Sequence, residues 1–83
     1  MTKTIDAGCE AFVSASRVLV ILPGSQSAPI ARLRKAAGEK DLLVDATFGG
    51  KKESVIVLDS GHIVLSTVEA GLLRVRMGHK HYE

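Results

Sequence analysis

Apolar positions in this chain of 83 residues gather in three runs: Val18-Leu19-Val20-Ile21-Leu22, Val55-Ile56-Val57-Leu58 and Ile63-Val64-Leu65. None of the runs alternates with polar residues, and strands of that kind are buried on both faces. Residues 42–67 read LLVDATFGGKKESVIVLDSGHIVLST, apolar stretches separated by glycine-bearing polar tips. The pattern predicts a three-stranded antiparallel meander with turns at Gly49-Gly50 and Ser60-Gly61. It places Lys51 and Lys52 on an exposed hairpin tip, and Asp45 and Thr47 on one face of a strand over residues 42–48. Earlier in the chain, apolar patches around Ile5 and Phe12-Val13, broken by Gly8, predict one or two short strands. The polar step Ser14-Ala15-Ser16-Arg17 leads into a strand over residues 18–22, which Pro23-Gly24-Ser25 ends.

Ser27-Ala28-Pro29 predicts a helix start, with serine capping free N–H groups and proline harmless in the first turn. Ile30, Leu33 and Ala37 form its buried stripe; Arg32 and Lys35 point away and Arg34 lies on the flank. Gly38 is the expected C-terminal cap. Residues 69–77 fit a short helix with Leu72, Leu73 and Val75 turned inward, or an alternating strand; helix is the preferred reading. Gly78 closes this segment, and residues 79–83 form a polar tail. The expectation is one α+β domain over residues 1–78, a small mostly antiparallel sheet with one central helix and a short C-terminal helix.

Hydrophobic residues make up 46% of the chain and aromatic residues only 4%, so Val, Ile, Leu and Ala must supply the core. One short helix covers one face of a small sheet, and nothing else in the pattern covers the other. A second copy is the simplest cover, and a homo-oligomer is therefore expected. The net charge of +2 is small, so local placement of charge matters more than the sum. No apolar run approaches the roughly 18 residues of a membrane span, and no signal-peptide core follows Met1-Thr2-Lys3. The single Cys9 has no intrachain disulfide partner, which points to a reducing, cytoplasmic setting.

Among possible chemistries, Gly49-Gly50-Lys51-Lys52 suits contact with a polyanion: glycine lets backbone N–H groups approach phosphate, and the ammonium groups add point charge. The bland alternative is a solvated turn kept soluble by its lysines, and Glu53 dilutes the positive field. Arg32, Arg34 and Lys35 can extend a basic face or simply be the wet side of the helix. The spacing of a nucleotide-binding P-loop is absent. Cys9, His62 and Asp59 are formally available for catalysis, but Asp59-Ser60-Gly61-His62 reads as turn chemistry, and no enzyme activity is expected. His79 and His81 lack further ligands for a metal, and no cofactor or small-molecule substrate is expected. With few aromatics beside the basic residues, duplex backbone is a better partner than single strands.

Four blocks carry a likeness: Ser14-Ala15-Ser16-Arg17; Ser27-Ala28-Pro29-Ile30 with Arg32; Leu43-Val44-Asp45-Ala46-Thr47-Phe48-Gly49; and Asp59-Ser60-Gly61-His62 with Leu65-Ser66. In order and spacing, over residues 14–68, they resemble the RemA family, small bacterial regulators of extracellular matrix (biofilm) genes. The resemblance implies a ring-forming, double-stranded-DNA-binding transcriptional activator that presents a repeated basic surface. It implies DNA-facing roles for Arg17 and for a basic pair after the Asp-Ala-Thr-aromatic-Gly block. Here Gly50 and Lys51 occupy the pair's positions, Lys52 follows as an extra base, and Glu53 stands where more positive charge would be expected. Arg32 joins Arg17, Lys51 and Lys52 in the expected DNA-binding set. The rival expectation is an oligomeric scaffold of the same fold that has lost DNA binding.

Overall fold

The computed structural model describes residues 3–24 and 28–78. The elements run β1 (Thr4–Asp6), β2 (Phe12–Ser14), a 3-10 turn (Ala15–Arg17), β3 (Val18–Pro23), α1 (Ala28–Glu39), β4 (Leu43–Asp45), β5 (Ser54–Leu58), β6 (Ile63–Ser66) and α2 (Ala70–Arg76). The expected capping by Ser27 and the polar tail lie outside the described residues. The α+β composition, with two helices and short strands, is as expected.

The main sheet has the order β3-β5-β6-β4. β5 and β6 form the expected hairpin around Gly61, with Ile56 opposite Val64, and β3 runs antiparallel to β5. β4 departs from the expected meander: it pairs in parallel with β6 rather than with β5. The reason is the helix before it. α1 carries the chain back across one face of the sheet, so β4 enters in the same direction as β3, on the far side of β6. Residues 46–53 then form a connection to β5 much longer than a hairpin tip, so Lys51 and Lys52 lie in a crossover loop. β4 itself is only three residues long, and Ala46–Phe48 already belong to a turn.

β5 and β6 are buried on both faces, as their unbroken apolar runs predict. On one face Val55, Ile63 and Leu65 pack with Ala37, Ile30 and Leu33 of α1. The opposite face was expected to need a second copy, and this is corrected by the structure. Ile56 and Val64 are covered there by Ile5 and Val13 of the antiparallel β1–β2 pair, by Ala7 just after β1 and by Leu73 of α2. Each covering segment is too short to look like a core element alone. Together they complete a second layer. What the chain leaves open is the pair of sheet edges, where Leu19, Val20 and Val44 are 68%, 42% and 46% exposed.

Two further expectations change in detail. α1 ends on Asp41 rather than Gly38: Asp41 takes φ 58°, Leu42 N–H donates to Ala37 C=O, and Asp41 N–H donates to Gly38 C=O. This is the paired bonding of a Schellman cap, with aspartate filling the left-handed position usually held by glycine. In α2 only Leu73 turns inward, while Leu72 and Val75 stay exposed.

Buried hydroxyls fasten the second layer to the sheet. Ser66 Oγ donates to Ala7 C=O at 2.7 Å and accepts from Val68 N–H at 3.0 Å, and Ser54 Oγ donates to Val68 C=O at 2.7 Å. Because Leu73 is fully enclosed whereas Leu72 faces outward, Leu73→Ala is expected to cost about 2–5 kcal/mol of unfolding free energy. Leu72→Ala is expected to cost about 0.5 kcal/mol or less. Urea denaturation of the two variants at equal concentration measures the contrast.

Candidate nucleic-acid interface

Strand direction decides where the basic residues stand. Val18 of β3 is opposite Leu58, and Pro23 is opposite Ser54. Arg17, just before β3, therefore stands beside the β5–β6 turn, and Asp59 N–H donates to its carbonyl at 2.7 Å. Lys51 and Lys52 precede Ser54, at the other end of the same strands. The six residues of β3 separate the two positions by about 17–20 Å. Arg32 is exposed in the second turn of α1. That helix lines a groove with Gly61 and Ile63 through Leu33 and Ala37, with Lys40 just beyond its end. The structure thus keeps Arg17 apart from Lys51 and Lys52 and sets Arg32 on the outer surface of α1.

The lysine loop is held at both of its ends. Gly50 N–H donates to Thr47 C=O at 2.8 Å, and Glu53 N–H donates to Ser66 C=O at 2.8 Å. Gly24 N–H donates to Glu53 C=O at 3.0 Å. Gly24 crosses the loop so closely that a Cβ there would lie 2.1 Å from the Lys52 carbonyl oxygen. Only glycine permits that approach. At the entrance to the loop, the Asp45 carboxylate accepts hydrogen bonds from both the N–H and the hydroxyl of the buried Thr47. The sequence pattern places these two residues side by side on a strand. They instead form an aspartate turn that ends β4 and starts the crossover. Hydrogen bonds from Thr47's hydroxyl and N–H lower the Asp45 pKa; burial opposes them, and Lys52 adds a lesser lowering.

Both basic positions carry a carboxylate partner within the chain. Arg17 bridges Asp59 at 3.3 Å and Lys51 bridges Glu53 at 3.4 Å. Arg17 and Lys51 remain 67% and 84% exposed in their side chains, and pairs as wet as these contribute roughly 0–1 kcal/mol. A phosphate can therefore take either cation at little cost. Glu53's dilution of the loop charge is legible in the sequence. Asp59's role is not, because the ladder that brings it to Arg17 spans distant parts of the chain.

The formal catalytic set is dispersed. Cys9 Sγ lies 3.8 Å from Thr47 C=O, at the lysine end, whereas His62 pairs with Ser60 Oγ at 2.6 Å in the turn at the arginine end. Among the described residues no three metal-ligating side chains gather, and no helix is long and apolar enough to cross a membrane.

The molecule is a small sheet faced by a helix on one side and by a strand pair and short helix on the other, with exposed cations at both strand ends. The family described as RemA-like, extracellular matrix regulatory protein A-like, matches residues 4–77. Relatives named "Putative regulatory protein" include one from Alkaliphilus metalliredigens, 42% identical over 94% of this chain and 83% of its own length. One from Acetivibrio thermocellus is 41% identical over 98% and 86%, and one from Nitratidesulfovibrio vulgaris is 47% identical over 82% and 76%. The chain belongs to the RemA-like family of regulatory proteins.

The lowered pKa of Asp45 has a defined consequence for acid stability. Its contribution is complete above the ordinary value of 3.8 and is lost as pH falls through that value toward the lower value of the folded chain. Asp45→Asn keeps an acceptor for Thr47 and removes the titration. Thermal melts between about pH 6 and pH 2 are expected to show a shallower loss of stability in the variant than in the parent protein.

Proposed function

We propose that this protein is an oligomeric, non-enzymatic regulator of matrix or biofilm genes that binds double-stranded DNA through phosphate contacts. The observation that carries this is the placement of exposed Arg17 and of the loop with exposed Lys51 and half-buried Lys52 at the two ends of one sheet, in a chain of the RemA-like family. Arg17 offers a planar fork to phosphate, and the lysines offer mobile point charges on a backbone anchored by Gly24 and Glu53. Arg32 adds a further exposed cation, on α1. Repetition of these sites in an assembly multiplies weak contacts along one duplex, with binding that falls steeply as salt rises. Sequence preference then comes from the bendability of the DNA. Function in the cytoplasm, where such DNA is reached, belongs to the same proposal.

Lys51→Glu together with Lys52→Glu is expected to weaken duplex binding by at least about 100-fold at low salt while the assembly keeps its mass. Electrophoretic mobility shift and light scattering measure the two quantities. Unchanged affinity would remove the loop from the interface.

Gly50 is exposed, but a Cβ there would stand 3.1 Å from Thr47 C=O and 3.2 Å from Thr67 Cγ2, so a side chain fits only with a small shift. Gly50→Arg is expected to raise duplex affinity about 3- to 10-fold, since an arginine–phosphate contact adds a charge-assisted bond. A titration at fixed salt tests this.

The Lys51–Glu53 pair and Gly50 favour a second reading, a scaffold of the same fold that binds a protein partner. An assembly whose retention on heparin does not change with salt would support the scaffold and exclude the phosphate interface.

A further inference from the structure

Phe48 is the most exposed large apolar side chain among the described residues, at 77%. Its backbone is as unusual as its exposure. Gly50 N–H donates to Thr47 C=O at 2.8 Å, which closes a tight turn with Phe48 and Gly49 at its centre. Both central residues have positive φ, 50° and 87°. A turn of that kind favours glycine, asparagine or aspartate at its first central position, and a bulky side chain there is strained. No packing offsets the strain, since the ring belongs to neither hydrophobic cluster. The tip of the turn stands clear of the body: a Cβ on Gly49 would meet no atom within 4 Å. Its base, in contrast, is fixed, because buried Thr47 is tied to the Asp45 carboxylate through its hydroxyl and N–H.

Strain held at an exposed position points to a ligand contact. The chain beside Phe48 indicates the ligand's chemistry. Gly49-Gly50-Lys51-Lys52 follows directly, and the Lys51 side chain is 84% exposed. Glu53, the carboxylate that comes next, pairs with Lys51 in water and releases it at little cost. An apolar ring held out beside cations suits a polyanion whose stacked apolar faces can be opened, and duplex DNA has both properties. We propose that Phe48 reads the bendability of the duplex: its ring wedges between two base pairs at a flexible step while Lys51 and Lys52 hold the flanking phosphates. The inference rests on the phosphate interface proposed above and supplies the residue by which that interface discriminates among sequences. Apolar wedges of this kind enter from the minor groove, unstack a base step part-way and kink the duplex. The opening costs least at flexible steps such as TA and most in stiff A-tracts. Because the turn already holds the ring outward, little of it has to be ordered on binding.

The test compares two duplexes of equal length made only of A·T pairs, one alternating and so rich in TA steps, the other an uninterrupted A-tract. The parent protein is expected to prefer the alternating duplex. Phe48→Asn keeps every charge and suits the left-handed backbone, so it is expected to melt at or above the parent temperature. It is expected to bind the alternating duplex about 10-fold more weakly and the A-tract within about 2-fold of the parent. The slope of affinity against salt is expected to stay the same, because no cation is lost. Phe48→Leu, still an apolar wedge, is expected to keep the preference. An unchanged preference in Phe48→Asn, or a lowered melting temperature, would overturn the inference. Phe48→Trp places a single tryptophan in a chain that has none. Without DNA its emission is expected to be that of an exposed indole at every protein concentration, and the alternating duplex is expected to quench it. Emission of a buried indole before DNA is added would mean that another copy covers the loop, and would also overturn it. Failure of the parent protein to bind either duplex would remove the phosphate interface and the wedge with it, whereas binding without discrimination removes the wedge alone.

Discussion

The burial of β5 and β6 on both faces is the constraint from which the rest of the molecule follows. Two adjacent apolar strands in the middle of a sheet require cover above and below, and so short a chain has little with which to provide it. It divides the task. A single amphipathic helix takes one face, and the two ends of the chain meet over the other. The hydroxyls of Ser54 and Ser66 hold that meeting together by satisfying backbone groups that burial would otherwise leave unpaired. With its faces used up, the molecule has only edges and strand ends left to present.

Those strand ends are where charge accumulates, because a charged side chain within the central strands would be buried. Arg17 stands just before a strand and the lysines just before another. The direction of the ladder puts them at opposite ends. The lysine loop is fixed by backbone contacts from three parts of the chain, at Thr47, Gly24 and Ser66. Its backbone is thus held from several sides, while the Lys51 side chain stays largely in water.

Much of this was legible in the sequence, and what was not has identifiable causes. The unbroken runs marked β5 and β6, the glycine at position 61 marked their turn, and the spacing of Ile30, Leu33 and Ala37 marked the face of α1. The path of β4 was hidden because a Gly-Gly-Lys-Lys segment has the composition of a tight hairpin, whereas its length and the preceding helix allow a crossover. The second layer was hidden because Ile5, Val13 and Leu73 act together from distant parts of the chain, and no local window contains them. Among the candidate site residues, the exposure of Arg17, Lys51 and Arg32 followed from their surroundings in the chain. Their distances from one another, and the pairing of Arg17 with Asp59, depend on register and could not be read locally.

The shared direction of β3 and β4 gives the single molecule a polarity. One end of its sheet carries a guanidinium group beside an aspartate, and the other carries ammonium groups on glycine-rich backbone. So small a body therefore has a front and a back that differ in chemistry as well as in position.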